Sequence, residues 1–194
     1  MEKIKKEIVK YSKMLFERGL VSGKAGNIST KFTKDNKEYI AITPTLKSLG
    51  NLNPEEISIV DIEGNPINEN KPSSEVYMHC AIYKSRDDIK SIVHTHSPFA
   101  TGFAHSDKKI KRYEGFGSIE IPYIDEIEYI KPGTKKLAET AGKVFGENKK
   151  RDVILLKHHG IIATGENLFE AESLAEFIED SAKTQFISEM LKSI

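Results

Sequence analysis

Ser91-Ile92-Val93-His94-Thr95-His96-Ser97-Pro98 reads as a strand with a stop. Ile92 and Val93 are β-formers, and Pro98 cannot carry the hydrogen-bond ladder further. Side chains alternate faces along a strand, so His94 and His96 point the same way and can grip one metal ion. A third imidazole lies downstream in Lys157-His158-His159-Gly160, where His159 precedes a glycine in a strand-to-strand turn. An acid, Glu75, lies upstream. We read His94, His96, His159 and Glu75 as one site, three imidazoles and a carboxylate around a divalent metal. Zinc suits so imidazole-rich a set, and manganese, cobalt or iron stays open.

Outward from this central strand the chain alternates short β-runs with amphipathic helices. Toward the N-terminus, residues 1–18 carry the helical stripe Ile4, Ile8, Tyr11, Leu15, closed by Gly19. Strands are expected at 28–32, 38–42 and 56–62, the first two joined by the hairpin tip Lys34-Asp35-Asn36-Lys37. Residues 71–75 open a helix that runs to about Arg86, with Ser73 and Ser74 as caps and Glu75 in its first turn. Toward the C-terminus we expect a short helix at 99–105, strands at 118–121 and 127–130, a helix at 134–145, and strands at 153–157 and 161–164. Asn167, with Glu170 three residues on, caps a last helix whose stripe is Leu174, Phe177, Ile178, Ile187, Leu191. The links are mostly short, which favours antiparallel pairing. The expectation is one α/β domain, residues 1–194, around a mostly antiparallel sheet.

The totals exclude several function classes. The 29 basic and 29 acidic side chains cancel to a formal net charge of zero, which offers no field for nucleic acid or an anionic membrane. Cys80 is the only cysteine, so no internal disulfide forms and a reducing compartment fits. No apolar run reaches membrane-spanning length, and the N-terminus lacks a signal-peptide pattern. We therefore expect a cytoplasmic protein with a small-molecule partner.

Glu75 has two roles open to it: an acid held at a helix start by the macrodipole, or a carboxylate that touches the metal and accepts a proton. His79, His105 and His158 are read as structural. Glu75 and His79 lie i, i+4 on one helix face, but Cys80-Ala81-Ile82 after His79 argues that its ring packs inside. Small polar residues cluster at Gly26-Asn27, Thr45 and Ser73-Ser74. Backbone N–H groups and hydroxyls at such turns and helix starts form anion sites, which points to a phosphorylated substrate.

The ordered motifs Gly-Asn-Ile-Ser (26–29), Ile-Thr-Pro-Thr (42–45), Pro-Ser-Ser-Glu (72–75), His-Thr-His (94–96) and His-His-Gly (158–160) together resemble the class II aldolase and adducin-head family. The likeness spans nearly the whole chain. It implies a three-layer α/β/α domain around a mostly antiparallel sheet, and for the aldolases a homotetramer with sites at subunit interfaces. It implies zinc on His94, His96 and His159, with Glu75 as ligand in the empty enzyme and as base when substrate binds. It implies phosphate binding by Gly26, Asn27, Thr45, Ser73 and Ser74. The activity implied is cleavage of a ketose 1-phosphate, such as L-fuculose 1-phosphate, to dihydroxyacetone phosphate and an aldehyde. A tyrosine in the family manages the proton on the aldehyde oxygen. Tyr113 matches it best, with Tyr123 and Tyr129 as rivals.

Three departures bear on substrate. Leu46 stands where the family has glycine, Lys24 where the aldolases have a small residue, and the chain ends at its last helix where the aldolases carry a tail that helps close the site. The competing outcomes on the same scaffold are a ribulose-5-phosphate 4-epimerase, a methylthioribulose-1-phosphate dehydratase, an aldolase for a 5-deoxypentulose phosphate, and a non-enzymatic adducin-like interaction module.

Overall fold

The computed structural model describes residues 1–194. Seven strands form one sheet: β1 Asn27–Lys34, β2 Lys37–Ile42, β3 Ser58–Asp61, β4 Ser91–Thr95, β5 Asp125–Ile127, β6 Val153–Leu156 and β7 Gly160–Gly165. Their spatial order is β3-β2-β1-β4-β7-β6-β5. Every neighbouring pair is antiparallel except β5–β6. β4 is central and fully buried along its length: Ile92 and Val93 feed opposite cores, and its polar Ser91, His94 and Thr95 are buried with them.

Five helices cover the two faces: α1 Glu2–Glu17, α2 Val76–Ser85, α3 Pro98–Ala104, α4 Lys135–Glu147 and α5 Leu168–Lys192. One core joins α1, α3 and α5 to Ile28, Val93, Leu155 and Ile161. The other joins α2 and α4 to Ile40, Ile92, Ile154 and Ile162. Alternate strand residues thus serve opposite cores, giving α/β/α layers. No helix is long and apolar enough to cross a membrane.

Most expected elements occur within two residues of their expected bounds. Asp35 and Asn36 both have positive φ, as a two-residue hairpin turn of this kind requires. Asn167 caps α5 by accepting from the Glu170 N–H. Residues 118–121 form no strand, and the expected 127–130 strand is instead β5 at Asp125–Ile127; β5 is the sheet edge and pairs β6 in parallel, for which no hairpin signal exists in the sequence. Pro54–Glu56 is a 3-10 turn with a capping box, so β3 starts later than expected. Glu75 itself is the N-cap of α2, and Ser73 and Ser74 precede it. In α5, Leu174 and Ile178 reach the core while Ile187 and Leu191 stay exposed. At 1.5 Å per residue this helix of 25 residues outruns the sheet beneath it.

Candidate metal centre and anion site

His94 lies in β4, cross-strand from Asn27 of β1 and from Ile162 of β7. His96 falls one residue past the strand end but keeps the alternation, and its Nε2 is 3.0 Å from Nε2 of His94. His159 arrives from the three-residue β6–β7 connection, where His158 takes the left-handed conformation (φ 59°). Gly160 makes this possible: a Cβ there would lie 2.2 Å from the Thr95 carbonyl oxygen. Only a residue without a side chain lets β7 start that close to the end of β4. The three rings then stand edge to face, with centroids 4.7–4.8 Å apart.

Glu75 reaches the same point from the start of α2. Its Oε2 lies 3.2 Å from His94 Nε2 and its Oε1 3.7 Å from His159 Nε2. His94 Nδ1–H donates to the Ile161 carbonyl at 2.8 Å, which leaves Nε2 as the lone-pair nitrogen facing the other two rings. The ligand atoms of the three histidines lie within 4.8 Å of one another. Two nitrogens on one tetrahedral zinc would sit about 3.3 Å apart. Glu75 Oε1 and His159 Nδ1 are buried without a hydrogen-bond partner, a cost that a cation would remove for the carboxylate. The donor set therefore fits a divalent metal.

Electrostatics point the same way. Burial, and then the neighbouring His94 and His159, push His96 down to about 3. Burial and His94 push His159 down to about 4. Both rings are neutral at physiological pH, the form that coordinates metal. Burial also pulls His94 toward neutrality, but the Glu75 carboxylate outweighs it and raises the value. For Glu75 burial favours the acid form; His94, His159 and the Asn27 amide outweigh it and hold the carboxyl well below its usual range.

Of the small polar residues, Asn27 and Ser73 contact this carboxylate residue directly. Thr43 N–H donates to the Ile28 carbonyl, Ser73 N–H to the Thr43 carbonyl and Thr45 N–H to the Lys71 carbonyl, so three segments run side by side. Asn27 donates from Nδ2 to Glu75 Oε2 at 2.9 Å, and Glu75 N–H donates to Ser73 Oγ. Gly26 (φ 78°) lies under the His94 carbonyl, where a Cβ would approach to 2.8 Å. Ser74 is exposed, Thr45 half-buried, and Asn27 and Ser73 buried. Lys24 is exposed in the turn before β1. Leu46 takes the left-handed backbone that suits glycine (φ 61°) and is 72 % exposed.

Tyr113 is not brought to this point. Arg112 beside it is buried and paired with Asp152, just before β6, whereas His159 follows the other end of β6. Within one chain Tyr113 and the histidine triad therefore lie at opposite ends of that strand. Tyr123 and Tyr129 are exposed, and the Tyr129 ring lies 6.0 Å from that of His158.

A polar line behind Glu75 was missed in the sequence. His79, whose burial pushes it down to about 3, joins Asn27 to Ser29 and Tyr83. The available signal is the run of polar residues at alternate positions, Asn27, Ser29 and Lys31, which share one face of β1 and are all buried.

Residues 6–186 match the family described as Class II Aldolase and Adducin N-terminal domain. The chain is a class II aldolase family member. An L-fuculose phosphate aldolase of Methanococcus vannielii is 40% identical over 182 residues, covering 94% of this chain and 95% of its own. A 3-oxo-tetronate 4-phosphate decarboxylase of Haemophilus influenzae is 34% identical over 193 residues, 94% and 86% of the two chains. A solved L-fuculose 1-phosphate aldolase superposes with a TM-score of 0.85 at 33% identity, covering 97% of this chain and 87% of that one. Class II aldolases are metal-dependent enzymes acting on sugar phosphates, and this member has a histidine triad able to hold a metal.

Proposed function

We propose that this chain cleaves a ketose 1-phosphate, such as L-fuculose 1-phosphate, to dihydroxyacetone phosphate and an aldehyde, using zinc on His94, His96 and His159. The observation that carries this is the clustering of three imidazoles, two of them against a buried carboxylate with one unpartnered oxygen. A divalent ion held by His94, His96 and His159 would supply Lewis acidity, stabilising the negative charge that develops on the substrate as a bond to the reacting carbon breaks.

The protein's own groups do the rest. Asn27, Thr45, Ser73 and Ser74, with the Gly26 backbone, bind the phosphate. Glu75 carries the proton of the reacting carbon. In cleavage the carbon–carbon bond leaves its electron pair on the dihydroxyacetone-phosphate carbon, which then takes a proton from the Glu75 carboxyl. In condensation the Glu75 carboxylate removes that same proton. Tyr113 comes from a neighbouring chain of a tetramer, which its position at the far end of β6 supports. Its phenol donates a proton to the alkoxide that forms on the aldehyde oxygen in condensation; in cleavage the phenolate takes that same proton from the hydroxyl as the carbon–oxygen double bond forms.

A second reading has the decarboxylase relative behind it. Loss of carbon dioxide from a 3-oxo-tetronate 4-phosphate leaves an electron pair on the same kind of carbon and needs the same protonation. The deciding experiment assays the metal-loaded protein against ketose 1-phosphates, ketose 5-phosphates and a 3-oxo-tetronate 4-phosphate. Dihydroxyacetone phosphate plus aldehyde is expected; carbon dioxide, an epimer or a dehydrated product would each replace the reading. Tyr113→Phe should slow cleavage by about 10²-fold and leave metal content and Glu75-dependent proton exchange intact. A fully active monomer would exclude a shared site.

A further inference from the structure

Asn27, Ser29 and Lys31 alternate down the face of β1 that meets α2, and Glu75, His79 and Tyr83 step along α2 every four residues. Two strand residues advance about 6.8 Å and four helix residues about 6.0 Å, so the two rows run nearly in step. They are knitted together. Tyr83 Oη lies 2.7 Å from Ser29 Oγ, Ser29 Oγ 2.6 Å from His79 Nδ1, His79 Nε2 2.5 Å from Asn27 Oδ1, and Asn27 Nδ2 2.9 Å from Glu75 Oε2. All five side chains are buried.

The chemistry of the ends gives this line one direction. The Glu75 carboxylate only accepts, so Asn27 must turn its nitrogen toward it. The Asn27 oxygen then faces His79, which must donate from Nε2. The remaining ring nitrogen, Nδ1, accepts from the Ser29 hydroxyl, and the Ser29 oxygen accepts from Tyr83. An amide passes no proton along, so the line is not a proton wire. What it determines is which way the Asn27 carboxamide faces. Reversed, the amide would set an oxygen against the carboxylate, and the carboxylate would have to swing away.

We propose that His79, backed by Ser29 and Tyr83, is a positioning residue that locks the Asn27 carboxamide with its nitrogen toward Glu75, and so holds the base in place. This rests on the reading of Glu75 as the base.

Two measurements test it. Nitrogen-15 NMR of the imidazole rings in the wild-type protein without substrate should find His79 neutral and protonated on Nε2. Protonation on Nδ1 alone would reverse the line and overturn the proposal. The second compares His79→Gln, whose side-chain N–H can replace the Nε2 donor, with His79→Leu, which fills the space but donates nothing. His79→Leu should slow solvent exchange of the dihydroxyacetone-phosphate proton by about 10- to 100-fold, through kcat rather than KM and with bound metal unchanged. His79→Gln should restore most of the rate. Equal losses in both variants would make His79 a packing residue and overturn the proposal. Ser29→Ala covers the case in which His79→Leu does not fold: a mixed His79 tautomer and exchange about 5-fold slower are expected, and no change in either overturns it. A wild-type protein that exchanges no such proton would instead strike the aldolase reading, and the tautomer would still decide the direction of the line.

Discussion

His158 and His159 are chain neighbours that belong to different groups. His159 joins His94 and His96 at the edge of the core, with Glu75 between them. His158 turns outward and meets His105, Nδ1 to Nδ1 at 3.1 Å, with both residues exposed and the Tyr129 ring beside them. The first group gathers from three separate elements, is sheltered from water and carries a carboxylate to balance a cation. The second is a pair of solvated rings. Adjacency in sequence and closeness of two imidazoles do not make a metal site; convergence, shelter and charge balance do.

That contrast is open to direct attack. The largest effect expected is from His96→Ala, which should remove most of the bound metal and of the activity, while His158→Ala changes each by no more than about 2-fold. Metal analysis after dialysis reads both; equal losses would erase the distinction between the groups. Next comes Glu75→Gln, which keeps three imidazoles and hence most of the metal, but should slow proton exchange by about 10²–10⁴-fold.

Acid should find the sheltered rings too. His79 and His96 sit near 3 and His159 near 4, against an ordinary value of about 6.5. The unfolded chain binds protons on these rings that the folded chain refuses, so stability falls as pH drops from about 6.5 to 4. His94, raised by Glu75, pulls the other way near and above neutrality. Urea unfolding of metal-free protein should show uptake on the order of two protons near pH 5.5, and His79→Gln should lessen it. The smallest effect belongs to Leu46. Glycine there relieves a left-handed backbone at little loss of burial, so Leu46→Gly should stabilise by about 0.5–1 kcal/mol, measured as a shift in the urea midpoint.

Much of this was legible because it is local. His94-Thr95-His96 announces a shared face through the two-residue period of a strand, and the Asn167 cap and Asp35-Asn36 turn announce themselves through their own backbone needs. What stayed hidden depends on partners far away in sequence. β5 is three residues whose pairing with β6 has no local mark. The exposure of Ile187 and Leu191 depends on where the sheet ends, which the stripe on α5 does not encode. His79 looked like core and is core, yet its ring links Asn27 to Ser29, 52 and 50 residues away. Tyr113 is expected to serve a neighbouring chain's histidines, and within its own chain it sits at the opposite end of β6 from the triad.

The close passage of Gly160 under the Thr95 carbonyl has a last consequence. Two of the three imidazoles spring from backbone on either side of that crossing, at His96 and His159. The spacing of the two backbones that carry them is therefore set by main-chain contact, and the side-chain torsions adjust the rings only within that span. A grip dimensioned in this way behaves as a gauge. An imidazole set of this kind suits ions whose bonds to nitrogen are near 2.0–2.1 Å better than calcium, which prefers oxygen ligands at 2.3–2.6 Å. The spacing of two candidate ligands is thus written into a position with no side chain at all.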